Sequence, residues 1–269
     1  MVRLGFSLFS RGLVLLLVGI ALTPILWTVL GAFKKLKDII TPVPKLFFEP
    51  TLENFQIILQ NPSIRDGLYN SAIVVGFAVL IGALLGIPAA HAIARYTSRF
   101  KGDLQFFVLS MRFMPPVAIA IPFIAIYIDI GLFDTLAGLV LVYLVVTIST
   151  TIWLSVPAFD RVPREIEEAA AMENCSPFEI FWRISLPVAA PSLFGAIVLT
   201  FVLTWNELLI ALSLTAQNVT LPVVAASVTS LGKEVPWGVI NASTVILVVP
   251  PLVFIGLLLQ FINRSFRDS

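Results

Sequence analysis

Charged residues punctuate this chain at long intervals, and the stretches between them are apolar. In chain order they are Gly12–Phe33 between Arg11 and Lys34, Leu68–Ala94 ending at Arg95, and Leu104–Ile128 interrupted only by Arg112. Then come Thr135–Phe159, Ile184–Asn206 continuing past Glu207 to about Leu214, and a last one within Val235–Asn263. A helix that crosses the hydrocarbon core needs about 20 mostly apolar residues. The pattern therefore predicts six transmembrane helices, at about 12–33, 68–94, 104–128, 135–159, 187–214 and 238–262. They form one all-α, polytopic membrane domain over residues 1–269. The first stretch is too long for a secretory signal and no small-x-small site closes it, so it reads as a retained helix. An even number of spans puts both termini on one side.

Composition agrees. Apolar residues make up 58% and charged residues 12%, against roughly 45–50% and about 25% in soluble domains; mean hydropathy is +0.99. A soluble enzyme, a disordered chain and a nucleic-acid binder are excluded. Net charge is +1, so no global field draws an anionic partner, and the single Cys rules out an internal disulfide. With cytoplasmic termini, the inner segments hold 10 basic residues (Arg3, Arg11, Arg95, Arg99, Lys101, Arg161, Arg164, Arg183, Arg264, Arg267) and the outer segments 6 (Lys34, Lys35, Lys37, Lys45, Arg65, Lys233). The bias favours cytoplasmic N- and C-termini, although Lys34, Lys35 and Lys37 follow the first span and pull the other way. In the outer segment 34–67, Pro50–Phe55 predicts a short surface helix with Thr51 as N-cap.

The inner segment 160–186 differs from the rest. Asp160–Arg183 holds six of the chain's 16 acids in 24 residues. Pro163 is placed as a first helical residue, with Glu165, Glu167 and Glu168 in the first turns, where carboxylates complement the helix dipole. Ala169-Ala170-Ala171 favour helix, and Asn174 is placed to end it in the left-handed conformation. Ser176-Pro177-Phe178-Glu179 reads as a capping box that starts a second helix running through Phe181 and Trp182 to Leu186-Pro187. A short acidic helix with a small-residue face suits a cleft on another protein; a solvated helical hairpin fits these residues equally well.

Glu168-Ala169-Ala170, three residues, Asn174, nine residues, then Ile184-Ser185-Leu186-Pro187 resembles the EAA signature of permease subunits of bacterial ABC importers. Asn174 stands where the family has Gly, and Asn tolerates the left-handed region next best. Asn70-Ser71, Ala94-Arg95-Tyr96, Trp205-Asn206-Glu207 and Leu221-Pro222-Val223 are similar to stretches of the sugar branch, the permeases of maltose-type importers. The resemblance implies an inner-membrane subunit that imports a sugar or polyol by alternating access. Glu165, Glu168, Ala169, Ala170, Met172, Asn174, Ser176, Pro177, Leu186 and Pro187 would couple it to an ATPase. It also implies two nucleotide-binding ATPase subunits, a second related permease in a heterodimer, and an extracytoplasmic solute-binding protein. The short tail to Ser269 departs from the longer tail that family members often place against the ATPase.

No G-x-x-x-x-G-K-[ST] loop is present, so the chain is expected to carry no cofactor and no ATPase activity, with ATP and Mg on the partner ATPase. A permease for another solute, such as a polyamine or phosphate ester, is the second reading. An unrelated scaffold would leave the EAA spacing unexplained, and an intramembrane enzyme would lack any catalytic motif inside the spans.

An ionisable group at mid-bilayer costs at least ~2.5–3.5 kcal/mol. Glu207, with Trp205 and Asn206, reads equally as part of the solute pathway or gate and as a packing anchor. Arg112 lies within snorkelling reach of the inner surface and reads as an anchor. His91 has no second His and no Cys near it in sequence, so no metal site is expected, and Cys175 reads as a small residue. Ala78, Gly82, Gly86, Ala90 and Ala94 form a small-residue stripe for helix packing within the subunit, ahead of a subunit interface. Pro88, Pro115-Pro116, Pro122 and Pro250-Pro251 are expected to kink or break spans.

Overall fold

A computed structural model describes residues 2–96, 101–227 and 235–265, and every regular element among them is helical. Arg99, Lys233, Arg267 and the tail from 266 lie outside the described residues. In chain order the helices are α1 (Val2–Ala32), α2 (Leu36–Ile39), α3 (Glu53–Gln60), α4 (Pro62–Arg95), α5 (Lys101–Phe113), α6 (Pro116–Ile130), α7 (Leu136–Asp160), α8 (Arg164–Met172) and α9 (Pro177–Ile180). A π turn over Phe181–Ser185 leads into α10 (Leu186–Trp205), followed by α11 (Leu209–Leu214), α12 (Leu221–Ser227) and α13 (Trp237–Ser265). Five stretches are long and apolar enough to cross a membrane: Arg11–Ala32, Pro62–Arg95, Leu136–Asp160, Pro177–Trp205 and Trp237–Gly256.

Two expected spans are not continuous. The third is split into α5 and α6, which meet at 84°. Pro115 has extended backbone (φ −58°, ψ 134°) and Pro116 begins the next helix; a proline disfavours helix in the residue before it and has no N–H to carry the ladder on. The fifth stops at Trp205, with Asn206 as its C-cap, and α11 follows after a break. Helix runs through Pro88, Pro122 and Pro250-Pro251, so of the prolines expected to kink or break spans only the 115–116 pair ends one.

The chain forms two compact units. In the unit made of residues 1–65 and 224–249, Asn54 closes the end of α1: its amide donates to the carbonyls of Ala32 and Lys34, both at 2.9 Å. Gly238 lies against that amide, where a Cβ would come within 2.6 Å of Asn54 Oδ1. Buried Lys34 donates to the Lys45 carbonyl at 2.6 Å and sits over the rings of Trp27 and Phe48. The surface helix starts at Glu53, later than the expected Pro50. Leu52 holds the cap position, and the Thr51 hydroxyl accepts the Glu53 N–H at 3.2 Å.

In the unit made of residues 66–223 and 250–269, α4 lies along α7 through the small-residue stripe. A Cβ on Gly82 would stand 3.0 Å from Thr147, and one on Gly86 2.9 Å from Thr151; Ala78, Ala90 and Ala94 are fully buried. The stripe therefore packs within the subunit. One apolar cluster joins Val74, Ile119, Tyr127, Val142, Tyr143 and Ile210, and another joins Ile93, Ile152, Phe159, Phe181 and Leu193. Two polar ties cross long stretches of chain. Asn70 donates to the Val219 carbonyl and Ser71 accepts the Leu221 N–H. Asp134, itself left-handed at φ 56°, accepts the N–H groups of Ala216, Gln217 and Asn218 at 2.8–3.0 Å.

Candidate functional site

The turn between α7 and α8 places Pro163 as the N-cap rather than the first helical residue; its ψ of 131° is extended, and the helix starts at Arg164. Residues three and four apart share a helix face. Glu165, Glu168, Ala169 and Met172 satisfy that spacing and are all exposed, Met172 by 84%. Ala170 is buried and Glu167 turns inward. The two adjacent alanines thus face opposite ways.

Asn174 ends the helix at φ 63°. Its N–H bonds the Ala171 carbonyl at 3.1 Å and that of Cys175 the Ala170 carbonyl at 3.1 Å, the paired closure of a Schellman motif. Ser176 then caps the next helix: its hydroxyl accepts the Glu179 N–H at 3.3 Å, while the Glu179 carboxylate accepts the Ser176 N–H at 3.0 Å, with Pro177 in the first turn. The π turn hands the chain to Leu186-Pro187, where Pro187 has no N–H to donate.

Glu167 is the residue that sequence reasoning passed over. Its Oε2 is 2.7 Å from Arg95 Nε, its Oε1 accepts the Ser185 hydroxyl at 2.6 Å, and His91 Nε2 lies 3.8 Å from Oε1. Arg95 also donates through Nη2 to the Val162 carbonyl at 2.9 Å. The His91 ring lies between Phe159 and Phe181, with centroids 5.1 and 5.0 Å away. The signal was present in the helix spacing, since Glu167 shares the inward face with Ala170, and in Arg95, a cation at a span end with no acid within seven residues of it in sequence.

The second candidate lies at the break after α10. Trp205 is buried and stacks on Phe201 with centroids 5.6 Å apart. Asn206 is exposed and donates to the Val202 carbonyl at 2.7 Å. Glu207 accepts the N–H groups of Ile210 and Ala211 at 3.0–3.3 Å and the Tyr143 hydroxyl at 3.1 Å. A carboxylate in this position acts as the cap of α11. Tyr143, its partner 64 residues away, is almost completely buried and was not singled out in sequence. Among the described residues no group of three or more His, Cys, Asp or Glu is placed to hold a metal ion.

The model of the family described as "binding-protein-dependent transport system inner membrane component" matches residues 78–268. The trehalose transport system permease protein SugB of Mycobacterium tuberculosis is 32% identical over 89% of this chain and 88% of its own length. The trehalose/maltose transport system permease protein MalG of Thermococcus litoralis is 29% identical over 92% of each. A crystal structure of a bacterial ABC transporter involved in the import of alginate shares the fold, with a TM-score of 0.74 at 19% identity over 95% of this chain and 96% of that one. From the match over most of the chain and from these relatives, this protein belongs to the family of inner-membrane components of binding-protein-dependent transport systems.

Proposed function

We propose that this chain is the membrane-spanning, non-hydrolysing subunit of an importer for trehalose or a related sugar. The observation that carries the coupling role is the exposed face Glu165–Glu168–Ala169–Met172, closed by the left-handed Asn174 inside the EAA spacing. Ala169 leaves room for a close approach, Met172 offers an apolar knob, and the two carboxylates offer ion pairs to a cleft. Ala170, Ser176, Pro177, Leu186 and Pro187 hold that face in shape. ATP and Mg belong to two separate ATPase subunits. A second permease completes the path in a heterodimer, and an extracytoplasmic binding protein delivers the solute. Both termini are cytoplasmic by the distribution of basic residues, which puts α8 on the ATPase side. The break at Trp205-Asn206-Glu207 lies beside the solute path, with Asn206 facing the solute and Glu207 holding the break. The sugar assignment rests on relatives named for trehalose and maltose transport.

The test is purification of the chain with its ATPase and binding protein, followed by calorimetry of trehalose, maltose and putrescine on the binding protein. Sugar binding together with ATPase stimulation by the loaded binding protein is expected. A binding protein that takes putrescine and neither sugar refutes the sugar assignment; a chain that purifies without any ATPase refutes the coupling role.

A further inference from the structure

A helix that receives force from an ATPase must pass that force on. α8 is only nine residues long, its outward face is turned away from the rest of the chain, and a turn on each side joins it to long helices. Turns are compliant, so a push on α8 alone would be absorbed in them. The inward face carries the counter-feature. Glu167 is 88% removed from solvent and binds two other elements at once: Arg95 at the last residue of α4, and Ser185 at the junction into α10. Ser185 is fully buried and Arg95 is 11% exposed, so these bonds are little screened. Arg95 in turn bonds the carbonyl of Val162 in the turn before α8, and His91 one helical turn earlier in α4 is wedged between Phe159 of α7 and Phe181 of the π turn.

We propose that Glu167 is a positioning residue, the strut that makes α8 move as one body with the ends of α4 and α10, so that displacement at the ATPase face reaches the spans. This rests on the coupling role proposed above, but concerns a residue on the opposite face of α8 that would not touch the ATPase. A burial site filled only by packing would need no charge here; the bond from the Ser185 hydroxyl is directional and fixes orientation, while the Arg95 ion pair, whose Nε–H is not aligned for a hydrogen bond, fixes distance. The same pairing is costly if one member is lost, because the remaining charge is left buried without a partner.

The test is a distance measurement across the strut in the assembled transporter. Spin labels are attached at Tyr96→Cys and Glu173→Cys on a Cys175→Ala chain; Tyr96 and Glu173 are both exposed. Pulsed electron resonance is recorded without nucleotide and with ATP plus vanadate. The unmodified strut gives one narrow distribution that is the same in both states. Glu167→Ala broadens it and makes it shift with nucleotide by about 1–2 Å or more, the scale of helix shifts in switching proteins. Glu167→Gln, which keeps an acceptor for Ser185 but loses the ion pair, gives an intermediate width. Three results overturn the proposal: a narrow, nucleotide-independent distribution in Glu167→Ala; a distance that shifts with nucleotide in the chain with Glu167 intact; or failure of both Glu167 variants to fold, which makes the residue a folding determinant only. The mobility of the Glu173 label alone, read from its continuous-wave spectrum, tests the coupling role separately: a spectrum unchanged when the ATPase is added refutes that role, while broadening of the distance distribution by Glu167→Ala without nucleotide still reads the strut.

Discussion

Glu207 meets the cost of a charge at a break in an apolar span by bonding locally. The break after Trp205 frees N–H groups at the start of α11, and the carboxylate accepts two of them while also taking the Tyr143 hydroxyl. Loss of a capping side chain costs roughly 1 kcal/mol, and a buried hydroxyl left without a partner about 1–3 kcal/mol. Glu207→Ala is therefore expected to lower the thermal midpoint by more than Tyr143→Phe, which removes only one bond and leaves no orphan. With about 2–4 °C per kcal/mol for a chain of this size, the two variants are separable by scanning fluorimetry in detergent. Equal midpoints would show that the cap contributes nothing. Asp134 is the matching case at a turn. Burial raises its pKa, but the N–H groups of Ala216, Asn218 and Gln217 together outweigh that, and the carboxyl is held below the usual carboxylate range. A lowered folded-state pKa stabilises above the free Asp value of about 3.9, and the stabilisation disappears as pH falls through the lower folded value. The midpoint difference between wild type and Asp134→Asn is thus expected to be greatest near neutral pH and to shrink on acidification; a difference that grows with acid contradicts the assignment.

At the scale of elements, what was legible and what was not divides by distance along the chain. Asn174, Ser176, Pro177 and Glu179 act within a few residues of themselves, and each does in the structure what its type and spacing predict. Thr135, not singled out in sequence, also acts locally: its hydroxyl caps α7. Glu167, Arg95, Tyr143 and Asp134 act through partners far off in sequence, and no local pattern names those partners. The spans lie between: their apolar content was plain and Pro115-Pro116 was read as a possible break, but nothing local told that pair from Pro88, Pro122 and Pro250-Pro251, through which helix runs, and the break at Asn206 depends on how freed backbone groups find new partners, which is a matter of packing. Four substitutions at three positions probe this scale. Asn174→Gly keeps the left-handed turn and is expected to leave stability within a few tenths of a kcal/mol, whereas Asn174→Val forces a β-branched residue there at roughly 1–2 kcal/mol. Gly86→Leu drives a side chain into Thr151, where neighbouring backbone blocks retreat. It is expected to part α4 from α7 and to abolish a monodisperse peak in size-exclusion chromatography, while Gly76→Leu, whose Cβ would meet nothing within 4 Å, leaves the peak intact.

At the scale of the whole transporter, the outward and inward faces of α8 separate assembly from folding. Ala169 and Ala170 are neighbours with the same side chain, yet Ala169 is exposed and Ala170 is 8% exposed. If α8 seats in a cleft on an ATPase, Ala169→Trp leaves this chain folded and inserted but blocks seating. The expected outcome is a normal thermal midpoint, loss of co-purifying ATPase by at least about tenfold, as expected when a bulky group clashes at the centre of an interface, and no uptake. Ala170→Trp instead overfills the chain's own interior, at a typical cost of 1–3 kcal/mol, and is expected to lower the midpoint before any partner is added. Glu168→Lys, on the outward face, should behave like Ala169→Trp and show a salt-dependent loss of ATPase binding. Measuring midpoint and co-purification on the same preparations decides the matter. If Ala169→Trp retained the ATPase and transported at the wild-type rate, the outward face of α8 would not be the contact, and the exposed Met172 would need another partner.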